Sequence, residues 1–118
     1  MTYLVACLGG GKGTWAHLAR LSAGEQWEKI FLITSEEYAG KFDTGCPHEY
    51  IVIDLAKTMK ELSQDIMQKL KGKVPDLEVA LSIVSGTGKE HMAIISALTK
   101  LGLGIRLVAL AGEKVDEL

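Results

Sequence analysis

Two cysteines and three histidines are all that this 118-residue chain offers toward thiol or imidazole chemistry. Cys7 lies in an apolar run and Cys46 in a polar loop, so they form neither a disulfide framework nor a zinc-ligand spacing. His17, His48 and His91 are scattered and show no i, i+4 ligand pair. No apolar run approaches the ~20 residues that cross a bilayer. The opening MTYLVACL lacks the basic stretch and small-residue cleavage site of a secretory leader. Charge of one sign is missing too: 13 basic against 15 acidic side chains leave a net charge of −2. That field is too weak to coat duplex DNA by charge alone. Repeats, linkers and low-complexity segments are also lacking. The expectation is a cytoplasmic domain that uses no metal or cofactor and partners neither membrane nor duplex DNA.

What remains is a globular composition, 47% apolar, which excludes a disordered chain. At this length residues 1–118 make one domain, since two would each be too small to bury a core. Apolar runs over Tyr3–Leu8, Lys29–Thr34, Tyr50–Asp54, Leu77–Val84 and Ile105–Leu110 predict five strands. Between them, helical spacing predicts helices over Thr14–Ser22, Leu55–Leu70 and from Thr87 to about Leu101. Thr87 and Glu90 stand at capping-box spacing, and Gly102 supplies a stop. Ser35 as N-cap, with Glu36 and Glu37 behind it, predicts a short helix over Ser35–Phe42. Gly112–Leu118 reads as a polar tail. Strands apolar on both faces, alternating with amphipathic helices, predict an α/β Rossmann-like three-layer sandwich. Its sheet should be mainly parallel and five-stranded, in the order 3-2-1-4-5.

That order makes the first and fourth strands neighbours, with their chains leaving in opposite directions. A ligand crevice forms at such a switch point. Two glycine loops open onto it: Gly9, Gly10, Gly11 and Lys12 leading to Thr14, and Ser85, Gly86, Thr87 and Gly88 leading to Lys89. Glycines let a ligand approach backbone amides. Each loop also enters a helix N-terminus, which favours an anion. A lysine and a hydroxyl accompany each loop, and together they suit phosphate groups. Lys89 carries the most weight, because a cation in the first turn of a helix opposes the dipole. His91 reads as a satisfied surface histidine. Trp15 reads as core rather than as a stacking platform for a base, and Met59, Met67 and Met92 as core on apolar stripes. Glu36 and Glu37 have no partner at acid/base spacing.

Two motifs compete with a joint phosphate site. Gly9–Thr14 ends in GKGT after a strand, like the phosphate loop of nucleoside-monophosphate kinases, but Ala6 replaces the leading glycine of that pattern. Asp54 is the one acid placed for magnesium. A small P-loop-like nucleotide-binding or phosphotransfer protein is therefore the alternative, and a module whose glycines are only turns is a third. The dinucleotide fingerprint is met loosely by Gly9, Gly11 and Gly13, and Thr34 and Ser35 stand where its acidic residue belongs.

The stretch from Ile83 through Ser85-Gly86-Thr87-Gly88-Lys89 to Ala93, running on to Leu101-Gly102, resembles the second signature of CARF domains, the CRISPR-associated Rossmann fold. The opening YLVACLGGGKGTW resembles the first. The resemblance covers the chain in element order and specific letters only in the two loops. It implies a homodimer whose two crevices form one pocket for cyclic oligoadenylate, cyclic tetra-adenylate foremost, the messenger of type III CRISPR defence. Gly9, Gly10, Gly11, Lys12, Thr14, Ser85, Gly86, Thr87, Gly88 and Lys89 would line it. The family usually adds a sixth strand and an effector; this sequence is expected to end after its fifth strand, leaving a sensor, a regulator acting through an effector partner, or a ring nuclease. Ring cleavage would use the substrate's own ribose 2′-OH and no metal, with Lys89 as the catalytic cation.

Overall fold

The computed structural model describes residues 2–118; the side chain of Lys12 lies outside the described part. Strands β1 (Thr2–Leu8), β2 (Trp27–Ser35), β3 (His48–Ile53), β4 (Glu78–Ser82), β5 (Gly104–Ala111) and β6 (Lys114–Glu117) form one sheet. Its order is β3-β2-β1-β4-β5-β6. The first five strands are mutually parallel, as the alternation of strands and helices predicts. Helices α1 (Lys12–Ala23), α2 (Met59–Leu70) and α3 (Gly88–Lys100) complete a Rossmann-like sandwich.

The period-2 geometry of strands sorts the core into two halves. Val5, Cys7, Phe31, Ile33 and Leu81 point toward α2 and α3, where Leu62, Ile66, Ile94 and Leu98 meet them. Leu4, Ala6, Leu8, Ile30 and Leu32 point the other way, toward Leu18 and Leu21 of α1. Each fully buried aliphatic side chain contributes about 1.5–3 kcal/mol of apolar transfer. The sheet is thus held from both sides, and its carboxyl edge is a rigid platform for the two glycine loops.

Four sequence expectations change. The helix over Ser35–Phe42 does not form. Residues 36–40 are turns in which the Tyr38 and Ala39 amides donate to Ser35 O, and Gly40 sits at φ +79°. One turn is too short to offset helix nucleation, and Ser35 Oγ caps nothing: it is buried without a hydrogen-bond partner. The second helix starts at Met59, because Asp54 Oδ1 accepts the Ala56 amide (3.0 Å) and turns the chain, while Thr58 and Glu61 form the capping box. Of the methionines read as core, Met59 and Met92 are 47% and 62% exposed, whereas Met67 packs against the core. Finally, the polar tail is a strand. Gly112 at φ +65° turns the chain, and β6 pairs antiparallel with β5, Leu110 opposite Val115. The sheet therefore has six strands, not five.

Candidate functional site

At the carboxyl ends of β1 and β4 the chain departs to opposite faces, into α1 and α3. The two connecting loops meet, and their contacts explain two of the glycines, Gly9 and Gly86. A Cβ on Gly9 would lie 2.6 Å from Gly86 Cα and 2.8 Å from Gly86 N. Real Cβ atoms do not approach backbone so closely. Gly86 is at φ +94°, and a Cβ there would meet Glu90 Oε2 and, at 2.5 Å, Cys7 Sγ. Both positions therefore require glycine for the packing of loop on loop. Gly11, Gly13 and Gly88 are open by contrast: on Gly13 and Gly88 a Cβ meets nothing within 4 Å.

Ser85 ties the loops together. Its Oγ accepts the Gly9 amide at 2.8 Å and lies 2.9 Å from Thr14 Oγ1, while Thr14 Oγ1 donates to Gly11 O at 2.5 Å. The single Thr14 proton goes to that carbonyl, so the Ser85 hydroxyl donates to Thr14. Ser85 is 1% exposed and fully used inside the protein, which makes it the positioning residue of the site. The His91 ring sits half-buried behind it, with Nε2–H donating to Ser85 O at 2.7 Å; a carbonyl can only accept, which sets the tautomer. His91 is satisfied, as expected, but it latches the second loop rather than facing solvent. Thr34 Oγ1 donates to Leu8 O at 2.7 Å and fixes the exit of β1 from the other side.

The two helix starts differ electrostatically. At α1, Gly11 is the N-cap with no side-chain cap, and the first turn holds no acid. The Thr14 amide closes on Gly11 O at 3.1 Å, and the amides before it in the first turn are the ones open to an outside anion. At α3, Glu90 lies in the first turn, 7% exposed, with Oε2 3.4 Å from the Thr87 amide. Its carboxylate already supplies the negative charge that this terminus favours. Of the two helix starts, the one at α1 is therefore the one without an internal negative charge, and Thr87 and Gly88 are exposed across from it.

Lys89 is exposed, and its Nζ donates to Leu55 O at 2.8 Å across the turn after β3. Lys12 opens α1 by its backbone; its side chain, expected as a phosphate contact, lies outside the described residues. Cys7 is no nucleophile. Burial pushes its thiol well above the ordinary range, and the bond to Glu90 Oε2 (3.1 Å) adds to that shift.

The geometry also bears on the phosphate-loop motif. β1 runs to Leu8 and α1 starts at Lys12, leaving Gly9-Gly10-Gly11 as the whole loop. A loop of three residues cannot wrap a phosphate as the longer G-x-x-x-x-G turn does. Asp54 follows β3, which β2 separates from β1; at ~4.8 Å per strand that is roughly 10 Å away. Among the described residues no group of three or more His, Cys, Asp or Glu is placed to hold a metal ion.

Sequence reasoning missed one feature of the site. Beside Gly10 a cavity of about 460 Å³ is lined by Trp15, Glu37, Tyr38 and Lys41. Trp15 packs against the core as expected, yet it also walls this cavity. The broken helix after β2 hid the feature, because it is the turn at 36–40 that brings Tyr38 to Gly10.

A mostly parallel α/β sheet with a switch-point crevice, edged by two interlocked loops and one uncapped helix start, defines the class: a Rossmann-like α/β domain. No protein-family model matches the chain, and no curated protein matches it. Among the described residues no helix is long and apolar enough to cross a membrane.

Proposed function

We propose that the chain binds a cyclic oligoadenylate, cyclic tetra-adenylate foremost, as a CARF-like homodimer of type III CRISPR defence in the cytoplasm. It would act as the sensor of that messenger, relaying it to an effector partner, or as a metal-independent ring nuclease that removes it. The observation that carries the reading is the pairing of the two loops: Gly9 against Gly86, locked by Ser85, beside a helix start with no internal anion. A ring of phosphates needs such a seat on more than one side, and the crevice of one protomer is open. The sixth strand, usual in the family, supports the resemblance.

A second copy completes the pocket. Beside the second loop, an apolar groove of about 320 Å³ is lined by Ile83, Val84, Leu107, Ala109 and Leu118, with Leu107 38% and Leu118 80% exposed. Val84, which lines this groove, directly precedes Ser85 in the chain, so an isologous contact there would bring the two crevices near each other.

In ring cleavage the ribose 2′-oxygen attacks the adjacent phosphorus in line, and the bond to the 5′-oxygen breaks. The 2′-proton leaves to water and a proton ends on the 5′-oxygen, giving a 2′,3′-cyclic phosphate and a free 5′-hydroxyl. Holding the ring in an in-line geometry supplies the effective-molarity gain. Lys89 stabilises charge on the phosphoryl oxygens. Its present acceptor is the neutral Leu55 carbonyl, and in this reading it leaves that bond for a charge-assisted one to a phosphate oxygen. Gly10, Gly11 and Gly13 amides hold the phosphates from the α1 side.

A thermal-shift screen with cyclic oligoadenylates, magnesium-ATP and mononucleotides tests the reading. Stabilisation by cyclic tetra-adenylate supports it, and stabilisation by magnesium-ATP alone contradicts it. A single-turnover assay on labelled ring, with and without excess EDTA, then separates sensor from nuclease.

A further inference from the structure

The cavity beside Gly10 is not explained by phosphate binding. We propose that it receives a purine base of the ligand, stacked in the corner formed by Trp15 and Tyr38; this rests on the phosphate-site reading above.

Position is the first argument. The cavity borders Gly10 in the same three-residue loop that precedes the uncapped start of α1, so a base there stays attached to a phosphate seated at that start. The walls are the second. The Trp15 and Tyr38 rings stand 86° apart with centroids at 5.8 Å, so one offers its face where the other offers its edge. Both suit the quadrupole of a planar heteroaromatic ring. Preorganisation is the third. The Trp15 indole N–H donates to Gly9 O at 2.6 Å, and Phe42 packs edge-on at 5.7 Å. The platform is held before ligand arrives, and little rotamer freedom is lost on binding. Its volume, about 460 Å³, lies in the range of ~300–1,000 Å³ usual for small-molecule sites.

The rim supplies the polar chemistry. Glu37 accepts from an exocyclic amine, and Lys41 donates to a ring nitrogen. Tyr38 places its hydroxyl over Gly10, where an added Cβ would come within 2.6 Å of it; that oxygen can donate or accept at the edge of the base. An amine-bearing purine satisfies all three groups. A phosphate chain without bases satisfies only the lysine.

The test uses the full chain with Trp27→Phe, which leaves Trp15 as the sole indole, since the chain has two tryptophans. Cyclic tetra-adenylate should change Trp15 emission and shield it from acrylamide, whereas inorganic tripolyphosphate should bind without either effect. Tyr38→Ala should weaken cyclic tetra-adenylate about five- to 150-fold and leave tripolyphosphate unchanged. Calorimetric binding of cyclic tetra-adenylate with Trp15 still fully quenchable, or with Tyr38→Ala at wild-type affinity, overturns the base pocket alone. Binding of tripolyphosphate without the adenylate overturns the base pocket and the cyclic-oligoadenylate reading together, leaving only a phosphate site. Binding of neither probe overturns the phosphate-site reading, and the pocket with it.

Discussion

Gly86→Ala is the substitution that most sharply probes the interlocked loops. Gly86 occupies φ +94°, and the new methyl would meet Cys7 Sγ at 2.5 Å and the buried Glu90 carboxylate. Placing a side chain in that backbone region costs roughly 1–2 kcal/mol, and forcing a methyl into a packed site costs about 1–3 kcal/mol more. The expected loss of about 2–5 kcal/mol is large against a total of ~5–15 kcal/mol for a domain of this kind. With an unfolding entropy of about 2.1 cal/mol/K per residue, each kcal/mol moves Tm by about 4 °C over 118 residues. A drop of about 8–20 °C is expected by calorimetry, with an unchanged urea m-value. Gly88→Ala is the control: nothing lies within 4 Å of its Cβ position, so it should hold or gain about 0.4–1 kcal/mol. Cys7→Ala should relieve part of the Gly86→Ala penalty, because it removes one of the two atoms in the way. If Gly86→Ala and Gly88→Ala are equally stable, the loops are not locked as described.

The other predictions address the remaining parts. Ser85→Ala should cost about 1–3 kcal/mol in urea unfolding, since it leaves the buried Gly9 amide without its acceptor. Lys89→Ala should change stability by less than about 0.5 kcal/mol, yet weaken ligand binding by about 1.5–3 kcal/mol, as read by titration. Glu49 is held below the usual carboxylate range by hydrogen bonds from Lys73 and then Lys29. Its contribution is complete above the unfolded carboxylate pKa, near 4.5, and fades as pH falls through the lower folded value. Glu49→Gln should therefore lose stability at pH 7, and the gap from wild type should close at acidic pH in a pH series of melts. Leu107→Asp should shift a sedimenting dimer to monomer.

Much of this fold is legible in the chain because β1, β2 and β4 are apolar on both faces, and such runs between amphipathic stripes have few other solutions. β6 was not legible: in Lys114–Glu117 only Val115 turns inward, against α1's end at Gly24, where a Cβ would lie 2.9 Å from Val115 Cγ2. Leu55 and Met59 mimic one helical turn across what is an Asp54-driven turn. At the site, spacing shows that two loops share a crevice but not what their glycines do. Gly9 and Ser85 are 76 positions apart, and a contact over that separation leaves no local pattern. Gly9 and Gly86 read as openings for a ligand, whereas their missing Cβ atoms let the loops close on one another. The aromatic corner was hidden for the same reason: Tyr38 reaches Gly10 only through a turn that reads as a helix.

Isothermal titration of cyclic tetra-adenylate into wild-type protein and Lys89→Ala tests the central claim most directly. The account predicts saturable binding at one ring per two chains, since the pocket is completed by a second copy, and an affinity for Lys89→Ala lower by about 10- to 150-fold. No heat from the ring at any concentration, or equal affinity for both proteins, would contradict it.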